Sequence, residues 1–152
     1  MNYERYIRSG KFGIPSGAMI GGVKNDTKVE AYYKKDLSKI LAQTAHQASV
    51  DFFNGKSLLT GKEGSGLKNY LNSLEAKDVD SGKLLSEVII DQFNKSGEKI
   101  NLLNPDLSEE VRNNNDKMID VYNELQRTVG FLKVDMTSAM SITITYTDND
   151  GD

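Results

Sequence analysis

Val111, Asn115, Met118, Tyr122, Leu125, Val129 and Leu132 follow one another in alternating steps of four and three. That spacing returns side chains to one face of an α-helix, so the stretch predicts a long amphipathic helix. Such a helix cannot bury its stripe alone and has to fold against others. The rest of the chain offers them. Leu85, Val88, Ile89, Phe93, Ser96, Ile100 and Leu103 form a second stripe, with Asp80-Ser81 placed to cap it and Gly97 placed to bend or break it. Val29, Tyr33, Leu37, Ile40, Leu41, Thr44, Ala45, Ala48 and Phe52 form a third, which ends at Asn54-Gly55. A shorter helix carries Leu67, Tyr70, Leu71 and Leu74 after a glycine-rich loop over 55–66.

Asn104-Pro105 marks a helix boundary, because the residue before proline is pushed out of the helical region. Asp106 with Glu109 then matches a capping box, and Glu109-Glu110 suit the first turn of a helix. Asn115, the polar member of its seam, reads as a residue that sets packing register. Residues 1–25 are glycine-rich and predict an extended N-terminal loop. At the other end, Ser141-Ile-Thr-Ile-Thr-Tyr146 alternates polar and apolar residues, which predicts a short edge strand or strap before an acidic tail. No internal repeat is evident. The fold expected is therefore all-α: one domain over 1–152, an up-and-down bundle of about four helices in 26–135, an extended N-terminal loop and an extended tail over 141–152.

Composition narrows function by exclusion. The chain has no cysteine, so disulfides, thiolate metal sites and cysteine nucleophiles are out of reach. Its net charge of -3, with no basic patch, opposes nucleic-acid binding. No stretch approaches the ~20 apolar residues needed to span a bilayer, and the residues after Met1 do not resemble a signal peptide, so an export signal or lipid anchor would lie outside this chain.

Candidate chemistry is sparse. Gly10-Lys-Phe-Gly-Ile-Pro-Ser-Gly17 invites comparison with a phosphate-binding loop, but the lysine comes too early, proline removes an N–H and no strand precedes it. His46 is the sole histidine and lies about 180° from Leu37 at roughly 100° per residue. It shares that side of the helix with Tyr32, Val50 and Phe53, which form either an exposed face or a second packing surface against another lobe. Asp148, Asp150 and Asp152 are spaced like the first ligands of a calcium loop, but glycine comes fourth and the remaining ligands are missing. They read as weak cation contacts. No Ser/His/Asp order, HExxH or paired catalytic carboxylate can be argued from spacing.

Two segments in order, Arg8-Ser-Gly-Lys-Phe-Gly-Ile-Pro15 running on to Val29-Glu-Ala-Tyr-Tyr33, and Val134 to Asp152 ending Tyr-Thr-Asp-Asn-Asp-Gly-Asp, resemble the imelysin family of bacterial envelope proteins, also described as imelysin-type peptidases. The resemblance is to the C-terminal lobe of a longer, two-lobed helical protein. It implies a periplasmic or outer-envelope location, a role as a binding or assembly module in iron uptake, and as partner the N-terminal lobe or a second copy. It also implies that Arg8 and Lys11 line the cleft between lobes, where iron or another divalent metal would be bound together with the other lobe. The family hallmark Gly-x-His-x-x-Glu is absent: Thr44-Ala-His46-Gln-Ala-Ser49 has neither the glycine nor the glutamate. No catalytic or metal-binding residue is therefore carried over, and His46 is not put in its place. The rival expectations are a metal-dependent peptidase lobe completed by residues on another lobe, and a ligand-free helical scaffold.

Overall fold

Tyr3, Ile7 and Phe12 are almost wholly buried, and the segment that carries them is a helix. In the computed structural model, which describes residues 2–143, a wide π-type helix spans Tyr3–Gly13 and runs into the single turn α1 (Ile14–Ser16). This corrects the extended loop expected for residues 1–25; only Gly17 onward is irregular. The glycines that suggested a loop serve packing instead. A Cβ on Gly13 would lie 2.8 Å from Met19 Cγ and 2.9 Å from the Tyr122 ring, so glycine lets the helix approach its neighbours. Ser9 Oγ donates to Glu4 O at 2.9 Å, five residues back, supporting the wide turn from a side chain.

The remaining elements are α2 (Ser38–Asn54), α3 (Leu67–Ser73), α4 (Leu85–Asn101), α5 (Leu107–Asn113) and α6 (Asn115–Gly130). A second wide turn, Phe131–Asp135, leads into α7 (Met136–Ala139). The fold is all-α, with no strand among the described residues. Ser141–Thr143 leave the last helix as a turn, and the strand or strap expected at 141–146 otherwise falls, with the acidic tail, outside the described residues.

Several boundaries differ from expectation for local reasons. α2 begins at Ser38 rather than near Val29, after Ala31 takes a positive φ of 56°. Asp80-Ser81 do not cap α4. They lie in a loop where Ser81 N donates to Asp78 Oδ2 at 2.8 Å. Gly97 does not end α4, which continues to Asn101. Asp106 does cap α5, accepting from Ser108 N at 2.9 Å and Glu109 N at 3.3 Å. The long seam is broken at Asn114 (φ -141°, ψ 45°), and Asn115 Nδ2 donates to Ser16 O at 3.0 Å, tying the start of α6 to the end of the N-terminal helix.

The bundle consists of the N-terminal helix, α2, α4 and α6. The N-terminal helix runs antiparallel to α6, since Ser16 meets Asn115 while Glu4 meets Lys133 at 2.8 Å. α2 runs antiparallel to α4: Lys39 Nζ reaches Leu103 O at 2.8 Å, and His46 Nε2 reaches Phe93 O at 3.1 Å. Ser96 and Thr128 hydroxyls, 3.0 Å apart, join α4 to α6.

Two loops at one end of the bundle are built alike, a short repetition that corrects the expectation of none. Lys56–Lys62 and Lys77–Lys83 share lysine, three variable residues, Thr or Ser, glycine and lysine. Ser57 N donates to Lys62 O and Asp78 N to Lys83 O, both at 2.9 Å, and Gly61 and Gly82 take φ of 66° and 70°. Leu58, Leu59 and Val79 stand exposed at their tips.

Candidate functional site

Helix α2 has two apolar faces, and the bundle uses the one that periodicity places outside. Ser38, Ala42, His46 and Phe53 are buried. The expected core stripe instead faces outward, with Ile40 52%, Leu41 36% and Phe52 72% exposed. On the inner face Ser38 and Ala42 are small, and small side chains allow closer approach to α4. Gly97 completes that approach, because a Cβ there would lie 3.1 Å from His46 Nε2.

The sole histidine therefore sits inside. Phe93 O only accepts, so His46 Nε2 carries the proton and donates to it. Nδ1 is then the acceptor for the Tyr3 hydroxyl at 3.0 Å. His46 thus bridges the N-terminal helix to α4 within an aromatic cluster: Tyr3 and Phe93 meet edge-on at 5.5 Å, and Phe53 lies 5.8 Å from Phe93. Burial, only partly offset by the bond to Phe93 O, holds the imidazolium pKa below its ordinary value. Burial likewise pushes the Tyr3 phenol up, against hydrogen bonds from Thr128 and Ser96 that act the other way. Both groups are neutral at pH 7.

A pH prediction follows with a definite sign. The unfolded chain protonates His46 near pH 6.5, whereas the native state resists until lower pH. The stabilisation is complete above that value and is lost as pH falls through the interval below it, with a slope of at most about 1.4 kcal/mol per pH unit. Asp51 and Asp106, each held below the usual carboxylate range by hydrogen bonds and a nearby lysine against the opposing effect of burial, and Asp78, held there by hydrogen bonds from Ser81, lose their contributions only at lower pH. Urea midpoints at about pH 7.5 and about pH 5.5 should differ in the native protein and converge in His46→Gln. Equal pH slopes in the two proteins would refute the assignment.

Arg8 and Lys11 are separated by the structure. Arg8 turns to α6: its Nη1 donates to Gln126 Oε1, its Nη2 donates to Ser9 Oγ at 3.0 Å, and its guanidinium lies 5.7 Å from the Tyr122 ring centroid. Lys11 instead pairs with Glu30. Its side chain is 11% exposed against 45% for Glu30, and burial draws its ammonium pKa below the ordinary range.

Lys11 and Glu30 lie at a groove of about 780 Å³ between the N-terminal helix and α2. Ile7, Phe53, Phe93 and Leu132 line it within, together with Met136 of α7, while the exposed rings of Tyr6 and Phe52 line it from the two flanking helices. The sequence pointed to Lys11 but not to this groove. The signals for it are Tyr6 and Ile7, which lie in the segment whose glycines predict a loop. Asp148, Asp150 and Asp152 lie outside the described residues. Among the described residues no three His, Asp or Glu side chains gather in a way that could hold a metal ion, and no helix is long and apolar enough to cross a membrane.

Comparison with protein-family models, with curated proteins and with solved structures finds no match for this chain.

Proposed function

We propose that this chain is a helical binding and assembly lobe of imelysin type, working in the bacterial envelope against a second helical lobe. The observation that supports the reading is the outward face of α2. Ile40, Leu41, Thr44, Ala48 and Phe52 share that face, and Leu58 continues the apolar surface just beyond the helix, 95% exposed. Exposed apolar side chains gathered on one helix face in this way are characteristic of an interaction site. In the isolated chain a second copy offers the same self-complementary face, so a two-fold dimer is the expected assembly. The iron-uptake setting comes from the resemblance alone.

Sedimentation velocity over a concentration series tests this directly. The native chain should shift from monomer to dimer, and Leu41→Asp with Leu58→Asp should remain monomeric with unchanged helical circular dichroism. A chain that stays monomeric throughout would remove the second copy as occupant. Dimerisation unaffected by the two substitutions would place the interface elsewhere.

A further inference from the structure

We infer that the groove between the N-terminal helix and α2 is a binding site for an amphiphilic monocarboxylate, an apolar body bearing one carboxylate, with Lys11 as the carboxylate's partner. The groove is formed within one chain, so the inference does not depend on the assembly reading; Ala48 and Phe52 border both surfaces, whereas neither Leu41 nor Leu58 lines the groove.

Its size and chemistry carry the argument. About 780 Å³ falls in the range of small-molecule sites, which combine mostly apolar walls with a few placed polar groups. Here the walls are aliphatic and aromatic. Tyr6 and Phe52, 60% and 72% exposed, give the groove two rings whose apolar surface a ligand between them would take from water.

The polar end selects the head group. Among the described residues lining the groove, Lys11 is the sole cation and Glu30 the sole anion. Lys11 is confined, and Glu30 is nearly half exposed on the segment between the turns Asp26–Lys28 and Lys35–Leu37. The Glu30 carboxylate therefore occupies the place of a ligand carboxylate and can turn into water when one arrives. The exchange replaces one carboxylate by another on the same ammonium, so no buried charge is left unpaired. A dianionic phosphate head would find only one cation to meet it. A cationic head would have to pair with Glu30 at the solvent side and would leave Lys11 without a partner.

The test compares dodecanoate with dodecanol, each below its aggregation limit, by calorimetric titration and by the shift in melting temperature that native-state binding must produce. In Glu30→Gln, where the ligand carboxylate gains Lys11 without displacing another carboxylate, dodecanoate should bind about tenfold tighter than dodecanol, as one charge-assisted contact implies. Lys11→Met should bind both ligands alike, and Glu30→Gln, which removes the internal competitor but keeps Lys11, should strengthen dodecanoate binding several-fold. Circular dichroism checks that each variant folds, and Glu30→Gln keeps the test decisive if Lys11→Met does not. Absence of dodecanoate binding, equal affinities of the two ligands in Glu30→Gln, or no gain in dodecanoate affinity on that substitution would each overturn the inference. So would a preference for dodecanoate that survives in a folded Lys11→Met. Leu41→Asp with Leu58→Asp should bind dodecanoate at least as tightly as the native chain even where it abolishes the dimer, so loss of the dimer and loss of the ligand are read separately.

Discussion

Phe93→Ala is expected to cost about 3–5 kcal/mol of folding stability, the range for removing a buried aromatic ring. Phe93 is 1% exposed and stands where three elements meet: Tyr3 of the N-terminal helix packs edge-on against it, and His46 and Phe53 of α2 lie 5.9 Å and 5.8 Å from it. Truncation opens a cavity that no single neighbour can fill, because each is already fixed by a partner on another helix. Its backbone carbonyl also receives the His46 proton, so collapse around the cavity would disturb a buried polar bond. For a domain whose total stability is of order 5–15 kcal/mol, the loss is a large fraction. Urea unfolding should show a much lower midpoint with little change in slope. A loss below about 1 kcal/mol would mean that the aromatic cluster does not hold the three helices together.

Gly17→Val should be the second severe change, for a backbone reason. Gly17 ends the N-terminal helical segment with φ 83°, a conformation that costs a side-chain-bearing residue about 1–2 kcal/mol. A Cβ there would also stand 2.7 Å from Val23 C, 2.8 Å from Gly22 C and 2.9 Å from Lys24 N. These are backbone atoms of the returning loop, and they cannot rotate away as a side chain could. Gly21 provides the control, because its φ is 65° but nothing lies within 4 Å of an added Cβ. Gly21→Ala should therefore cost only the conformational part, about 1 kcal/mol, and Gly17→Val clearly more. Equal melting temperatures for the two variants would contradict the close approach of the loop.

The helical class, the C-terminus of α2 at Asn54-Gly55, the short α3, and the boundary at Asn104-Pro105 were legible in the sequence because each rests on local chemistry. A stripe at helical period, a glycine after a C-terminus and an aspartate before an N-terminus act over a few residues. Asp106 illustrates this: its cap on α5 needs only Ser108 and Glu109 beside it. The N-terminal helix was not legible. Gly10, Gly13, Pro15 and Gly17 all argue for a loop when read locally. Burial of Tyr3, Ile7 and Phe12 against the other helices outweighs that preference.

The candidate site depended still more on distant residues. Lys11 stands out in the sequence, but its partner Glu30 and the groove beside it come from segments placed by the bundle. Arg8, marked with it, is directed instead toward Gln126 and Tyr122.

What the sequence by itself determined is that α2 is a helix with apolar residues on two sides, since periodicity follows from backbone geometry alone. Which side is core was decided only by tertiary structure. Ser38 and Ala42 are small enough, and Gly97 on α4 bare enough, for the two helices to close around His46. The broader stripe of Ile40, Leu41 and Phe52 is left facing outward. Hydrophobicity ranks residues one at a time, whereas close packing depends on the shapes of two surfaces together.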